Sequence, residues 1–136
     1  MITQKYITDL TYRINGACIE VHKVLGPGLA EIVYHKALEK EFQLRKIQFK
    51  SEFIIPVIYK EENLNCDFKC DFLIEDLIVL EIKSVTQILD IHKSQVLNYM
   101  NLLKVPKGIL INFNVKNVYH LGQETFINKY FDALDS

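Results

Sequence analysis

The sequence predicts a mixed α/β fold, and two features of the chain carry this prediction. Apolar residues recur every three or four positions from Ile7 to Leu25 and again from Asp90 to Leu103, as in amphipathic helices. Between these segments, and again from Gly108 to Phe113, the chain is aromatic, β-branched or alternating, as in strands. Because helical and strand-like segments interleave over only 136 residues, we expect a single domain, residues 1–136, in which helices flank a sheet.

Two helices open the chain. The first, Ile7 to Leu25, is expected to end at Gly26-Pro27-Gly28, because proline cannot continue a helix and glycine tolerates left-handed backbone. The second, Ala30 to Arg45, carries Glu31 in its first turn, where a carboxylate suits the helix dipole.

Three strands are predicted in the middle of the chain. The first, Phe49 to Tyr59, is interrupted by Pro56, which indicates an edge strand or a bulge. The second, Asp67 to Ile74, alternates so that Asp71 faces one side while Phe68, Cys70, Phe72 and Ile74 face the other. A tight turn at Glu75-Asp76 leads into the third, Leu77 to Lys83.

The remainder of the chain is predicted to contain two helices and two strands. A helix from Asp90 to Leu103 precedes the apolar strand Gly108 to Phe113. We expect a second short strand from Val118 to Leu121 and a terminal helix from Glu124 to Leu134.

Composition excludes several classes of protein. The net charge of −1 and the apolar content of 49% argue against disorder, and no apolar run approaches the roughly 20 residues of a membrane span. An odd set of three cysteines argues against a disulfide framework and favours a reducing, cytoplasmic setting. Nucleotide-binding glycine loops, the nucleophile elbow of hydrolases and the HExxH zinc motif are absent.

Charge is distributed unevenly along the chain. Residues 61–90 carry eight acids, whereas residues 35–50 carry five Lys or Arg and residues 91–119 carry four Lys without an acid. This pattern suits a metal site that acts on a polyanion, in which carboxylates hold the cation and lysines contact phosphates. Charge runs of this kind also occur on solvated faces without a function, so the pattern alone leaves both interpretations open.

Asp71, Glu81 and Lys83 form the candidate chemical site. Glu81 and Lys83 are two residues apart in a strand and therefore project from the same face. If Ile74 pairs with Ile78, Asp71 lies opposite Glu81, and two such carboxylates repel unless a cation separates them. Mg²⁺ is the natural occupant. A two-residue turn would instead pair Asp71 with Leu80, and Lys83 could simply form an ion pair on a solvated face.

Further segments resemble the GxxExxY protein family of the PD-(D/E)XK nuclease-like superfamily. The signature matches Gly28-Leu29-Ala30-Glu31-Ile32-Val33-Tyr34, and the later motifs match Asp71…Glu81-Ile82-Lys83, Gln95-Val96-Leu97-Asn98-Tyr99 and Leu110-Ile111-Asn112-Phe113. Cys70 stands where the superfamily's nominal motif has proline, a position where proline is frequently absent. The resemblance implies a nuclease-like mixed sheet of core order αβββαβ, here with an extra N-terminal helix.

The resemblance also implies roles for individual residues. Asp71 and Glu81 match the metal ligands, and Glu31 matches a helix carboxylate that helps to hold the metal or its water. Lys83 matches the catalytic lysine, while Gln95, with Tyr99 one turn later, matches the polar residue that faces the active site. The implied cofactor is Mg²⁺ or a similar ion such as Mn²⁺.

The hypothesis from sequence is a cytoplasmic, Mg²⁺-dependent nuclease that hydrolyses phosphodiester bonds in DNA or, as the second choice, RNA. The alternative is a catalytically inactive module on the same fold that binds nucleic acid or protein. Lys36, Lys40 and Lys46 are the candidate phosphate contacts. No membrane partner is expected, and sequence-specific recognition of DNA would require a homodimer or another partner.

Overall fold

Five strands form one mixed sheet in the computed structural model, which describes residues 1–136. The strands lie in the order β1-β2-β3-β4-β5, and only β3 and β4 are parallel. The strands are β1 (Phe49–Tyr59), β2 (Glu62–Ile74), β3 (Ile78–Lys83), β4 (Lys107–Asn112) and β5 (Gln123–Ile127). The helices are α1 (Gln4–Leu25), α2 (Glu31–Leu44), α3 (Asp90–Leu103) and the short α4 (Lys129–Asp132). The predicted fold class, a mixed sheet flanked by helices, is confirmed.

Both faces of the sheet are covered. On one face, α1 and α2 pack against β3 and β4 through a large apolar core that includes Ile14, Leu38 and Leu80. On the other face, α3 packs through a smaller core that includes Val79 and Met100. None of the helices combines the length and apolarity that crossing a membrane requires.

The connection between α1 and α2 follows the prediction. Gly26 and Gly28 adopt φ values of 70° and 95°, a region that glycine enters without steric cost. The Tyr34 hydroxyl donates a hydrogen bond to the Gly26 carbonyl (2.5 Å) and accepts one from the Leu29 N–H (3.2 Å). These bonds fix the loop that leads into the first turn of α2.

The β1–β2 hairpin is longer than expected because β2 begins at Glu62 rather than Asp67. Lys60 and Glu61, both at positive φ, form its two-residue turn. Pro56 lies on the edge strand, beside an irregularity in register between Pro56 and Ile58. The predicted effect of this proline is therefore confirmed.

The expected alternation along β2 is wrong at one point. Phe68 contacts Tyr99 with ring centroids 5.7 Å apart, and Cys70 lies in the α3-side core. Phe72 instead lies in the core under α1 and α2. The ladder between β1 and β2 is interrupted opposite Asp71, where Glu52 takes a φ of 52°. Because of this interruption, Cys70 and Phe72, on either side of Asp71, face opposite sides of the sheet instead of the same side.

The C-terminal quarter differs from the prediction. Val118 to Leu121 is not a strand but belongs to a π-helical turn, Val118–Gly122. The predicted helix from Glu124 to Leu134 is also wrong, because Gln123–Ile127 pairs antiparallel with β4 and only the short helix α4 follows. The edge of β4 offers unpaired backbone groups, and satisfying them outweighs the local helical pattern.

Candidate metal centre

The β2–β3 hairpin sets the geometry of the candidate site. Ile74 pairs with Ile78 across a three-residue turn, and Phe72 pairs with Leu80. The next position in this register places Asp71 opposite Glu81. The register assumed from the sequence is therefore confirmed, and the alternative pairing of Asp71 with Leu80 is excluded.

The two carboxylates take the place of backbone groups in the ladder. The Asp71 N–H donates a hydrogen bond to Glu81 Oε1 (3.2 Å), and the Ile82 N–H donates one to Asp71 Oδ2 (2.8 Å). Each carboxylate is thus held by the backbone of the opposite strand. Oxygen atoms of both side chains lie in the gap where β2 and β3 separate.

Charge repulsion and burial act strongly on this pair. Glu81 is only 4% exposed. Burial, and then the neighbouring Asp71 carboxylate, raise the pKa of Glu81 to about 9, although Lys83 and the Asp71 N–H partly offset this rise. Without a bound cation the pair therefore retains a proton near neutral pH. Such a pair is the environment in which a divalent cation can replace a proton.

Glu31 approaches from the N-terminus of α2. Partial burial raises the pKa of its carboxyl group, the Lys83 charge lowers it, and the Asp71 charge raises it. Glu31 therefore lies within electrostatic reach of both residues. The Ser84 hydroxyl donates a hydrogen bond to the Leu29 carbonyl (2.6 Å), which ties the loop before α2 to the residue after Lys83.

Lys83 ends β3, where it pairs in register with Asn112 of β4. Asn112 is buried, and its side chain accepts a hydrogen bond from the Val85 N–H (3.1 Å) and donates one to the Val85 carbonyl (2.9 Å). Sequence reasoning assigned no role to Ser84 or Asn112, which position the loops beside Lys83. The signal for Asn112 was an amide within an otherwise apolar strand.

Helix α3 covers the carboxylates from the other side. Burial, followed by the charges of Glu81, Cys70 and Asp71, raises the pKa of Tyr99 to about 12. Gln95, half-buried, lies one turn earlier on the same helix face. The structure thus brings Glu31, Asp71, Glu81, Lys83 and Tyr99 into one region, with Gln95 on the adjoining turn.

Comparison with known proteins decides the family. A family model described as the PD-(D/E)XK nuclease superfamily matches residues 8–124. This chain belongs to the PD-(D/E)XK nuclease superfamily. No curated protein and no solved structure matches the chain.

The donor set of this PD-(D/E)XK chain fits a hard divalent cation. No three His, Cys, Asp or Glu side chains converge closely enough to hold a metal ion among themselves. Asp71 and Glu81, whose carboxylates meet across the hairpin, are the residues that would hold a cation here. Mg²⁺ suits this arrangement, because it prefers oxygen ligands and usually keeps several waters beside one or two carboxylates.

The three candidate substrate lysines lie along and beyond α2. Lys36 is 3.6 Å from Glu39 in an ion pair. At about 1.5 Å per helical residue, Lys40 lies about 14 Å along the α2 axis from Glu31, whereas Lys46 follows the end of the helix at Leu44. All three side chains are exposed, and their contact with substrate stays a prediction.

Proposed function

We propose that this protein is a Mg²⁺-dependent nuclease that hydrolyses phosphodiester bonds, in DNA by preference and in RNA as the second choice. One observation carries the proposal: in a chain of the PD-(D/E)XK nuclease superfamily, the Asp71 and Glu81 carboxylates meet across a hairpin, with Lys83 two residues further on. Mn²⁺ is the expected substitute for Mg²⁺.

Each residue has a defined task in this proposal. A bound Mg²⁺ would supply a Lewis acid for the phosphoryl oxygens and lower the pKa of a coordinated water. Asp71 and Glu81 hold the cation, and Glu31 accepts hydrogen bonds from its water. Lys83 places a positive charge beside the attacking water or the scissile phosphate, where negative charge develops. Gln95 and Tyr99 present their polar side chains to the active site from α3.

Finer parts of the proposal rest on the sequence. The Gly28–Tyr34 segment supports membership of the GxxExxY family within the superfamily. We propose further that residues 1–136 act as one domain, in the cytoplasm, and that Lys36, Lys40 and Lys46 contact substrate phosphates. Sequence-specific cleavage would require a homodimer or another partner.

A cleavage assay tests the proposal. Labelled single- and double-stranded DNA and RNA are incubated with wild type, Asp71→Asn and Asp67→Asn in Mg²⁺, in Mn²⁺ and in EDTA. Asp67 is the matched control, because it is an exposed aspartate on the same strand. We expect metal-dependent cleavage by wild type and Asp67→Asn but not by Asp71→Asn. Binding without cleavage of any substrate would favour the inactive binding module instead.

A further inference from the structure

A basic cavity lies outside the carboxylate centre. It has a volume of about 360 Å³ and lies between the last turns of α1 and the loop that enters the π-helical turn. Four of its eight lining residues can carry positive charge, and none of the eight is acidic. These four are His22, Lys23, Lys116 and His120.

The charge in this cavity is not neutralised by the protein. Lys23 and Lys116 are exposed and take part in no ion pair, whereas Lys5, Lys36, Lys50 and Lys93 each have an acidic partner. Two unpaired lysines around a concave surface attract an anion, since the cavity concentrates their field.

The cavity has a rigid wall and an aromatic rim. His22 Nε2 hydrogen-bonds the Val115 carbonyl (2.8 Å), which fixes the α1 wall against the loop. Asn117 caps the π-helical turn by accepting a hydrogen bond from the His120 N–H (3.0 Å). Tyr119 lines the cavity and is 42% exposed, and its ring lies nearly perpendicular to the His120 ring with centroids 5.2 Å apart. An exposed tyrosine ring of this kind can stack against a base.

The cavity also lies within reach of the candidate catalytic lysine. Lys116 is four residues beyond Asn112, which pairs with Lys83 across neighbouring strands. Four extended residues span at most about 14 Å, and neighbouring strands are about 5 Å apart. The Cα atoms of Lys83 and Lys116 are therefore within about 19 Å of each other. That distance is about six nucleotides at 3.4 Å per nucleotide of duplex strand.

We propose that this cavity is a subsite for a backbone phosphate of the nucleic-acid substrate, within about six nucleotides of the scissile bond. The inference rests on the proposed function for its substrate class. Lys23 and Lys116 bind the phosphate, and Tyr119 stacks on an adjacent base. The subsite holds the substrate strand without taking part in the bond cleavage.

Equilibrium binding tests this subsite separately from catalysis. A fluorescent DNA oligonucleotide is titrated at several salt concentrations, in EDTA, with wild type, Lys23→Ala/Lys116→Ala and Lys5→Ala/Lys60→Ala. The control removes two charges at the start of α1 and at the tip of the β1–β2 hairpin. We expect the first double variant alone to bind about tenfold more weakly, with a salt slope smaller by about 2. Equal affinity and slope in wild type and Lys23→Ala/Lys116→Ala would overturn the proposal.

The other outcomes separate the two proposals. If wild type binds DNA but does not cleave it, while Lys23→Ala/Lys116→Ala loses affinity, the nuclease proposal fails and the subsite remains supported. If wild type cleaves, the variant should show a raised KM with an unchanged kcat, because the contact is equally strong in the ground state and the transition state. Inorganic phosphate or a mononucleotide that binds as tightly as the oligonucleotide would overturn the assignment to a nucleic-acid strand.

Discussion

Replacing Glu81 with glutamine should stabilise the metal-free protein at neutral and alkaline pH. Glu81 is buried beside Asp71, and its pKa is raised from 4.5 to about 9 by burial and then by that neighbouring charge. Folding at neutral pH therefore requires the uptake of a proton. Glutamine keeps an oxygen that can accept the hydrogen bond from the Asp71 N–H, but it needs no proton.

The sign and size of the effect follow from these pKa values. Between pH 4.5 and about pH 9 the folded state binds more protons at Glu81 than the unfolded state, so the free energy of unfolding falls as pH rises. At about pH 7.5, roughly three pKa units at about 1.36 kcal/mol each give a penalty on the order of 4 kcal/mol. Glu81→Gln should remove this penalty, and with it the corresponding pH dependence.

Urea unfolding in EDTA at several pH values between 5 and 9 measures this difference. Glu62→Gln is the matched control, because Glu62 is an exposed glutamate at the start of β2. We expect the stability of Glu81→Gln relative to wild type to increase steadily with pH, while Glu62→Gln follows wild type. Parallel pH profiles for wild type and Glu81→Gln would refute the reasoning.

Three further predictions follow from the structure. Millimolar Mg²⁺ should raise the melting temperature of wild type but not of Asp71→Asn, because the cation binds the folded pair and not the unfolded chain. At a Mg²⁺ concentration of 100 times its Kd, the free energy of unfolding should rise by about 2.7 kcal/mol. Equal shifts in melting temperature for the two proteins would contradict this. Gly108→Ala should lower the free energy of unfolding in urea by about 1–3 kcal/mol, because an added Cβ would lie 2.5 Å and 2.6 Å from side-chain atoms of α3. In the native protein a thiol reagent should modify Cys66 rapidly but not Cys18 or Cys70, since Cys66 is exposed and burial raises the pKa of the other two to about 12; fast labelling of all three would contradict this.

The carboxylate pair could be predicted from the sequence because local rules determine it. Strand alternation places Glu81 and Lys83 on one face. The sequence leaves two lengths open for the turn after Ile74, and the structure shows the three-residue turn that sets the register. Once the Ile74–Ile78 pair is assumed, Asp71 must lie opposite Glu81. The boundaries of α3, Asp90 and Leu103, were also predicted correctly, since its apolar stripe is regular.

Other features depend on long-range contacts that the local sequence does not encode. Gln123–Ile127 forms a strand because β4 presents an open edge there, although the local sequence predicts a helix from Glu124 to Leu134. The exchange of faces at Asp71 arises from an interruption in pairing with β1. Lys23 and Lys116 are remote in sequence but line one basic cavity, where the His22–Val115 hydrogen bond holds the end of α1 against the loop after β4.

Single-turnover cleavage by Lys83→Ala tests the central claim most directly. Rate and affinity are measured on the same DNA in Mg²⁺ for wild type, Lys83→Ala and Lys69→Ala, the last being an exposed lysine of β2. If Lys83 stabilises charge in the transition state, its removal should lower the rate by about 10²–10³ with little change in Kd, while Lys69→Ala keeps the wild-type rate. Cleavage by Lys83→Ala at the wild-type rate would contradict the proposed site.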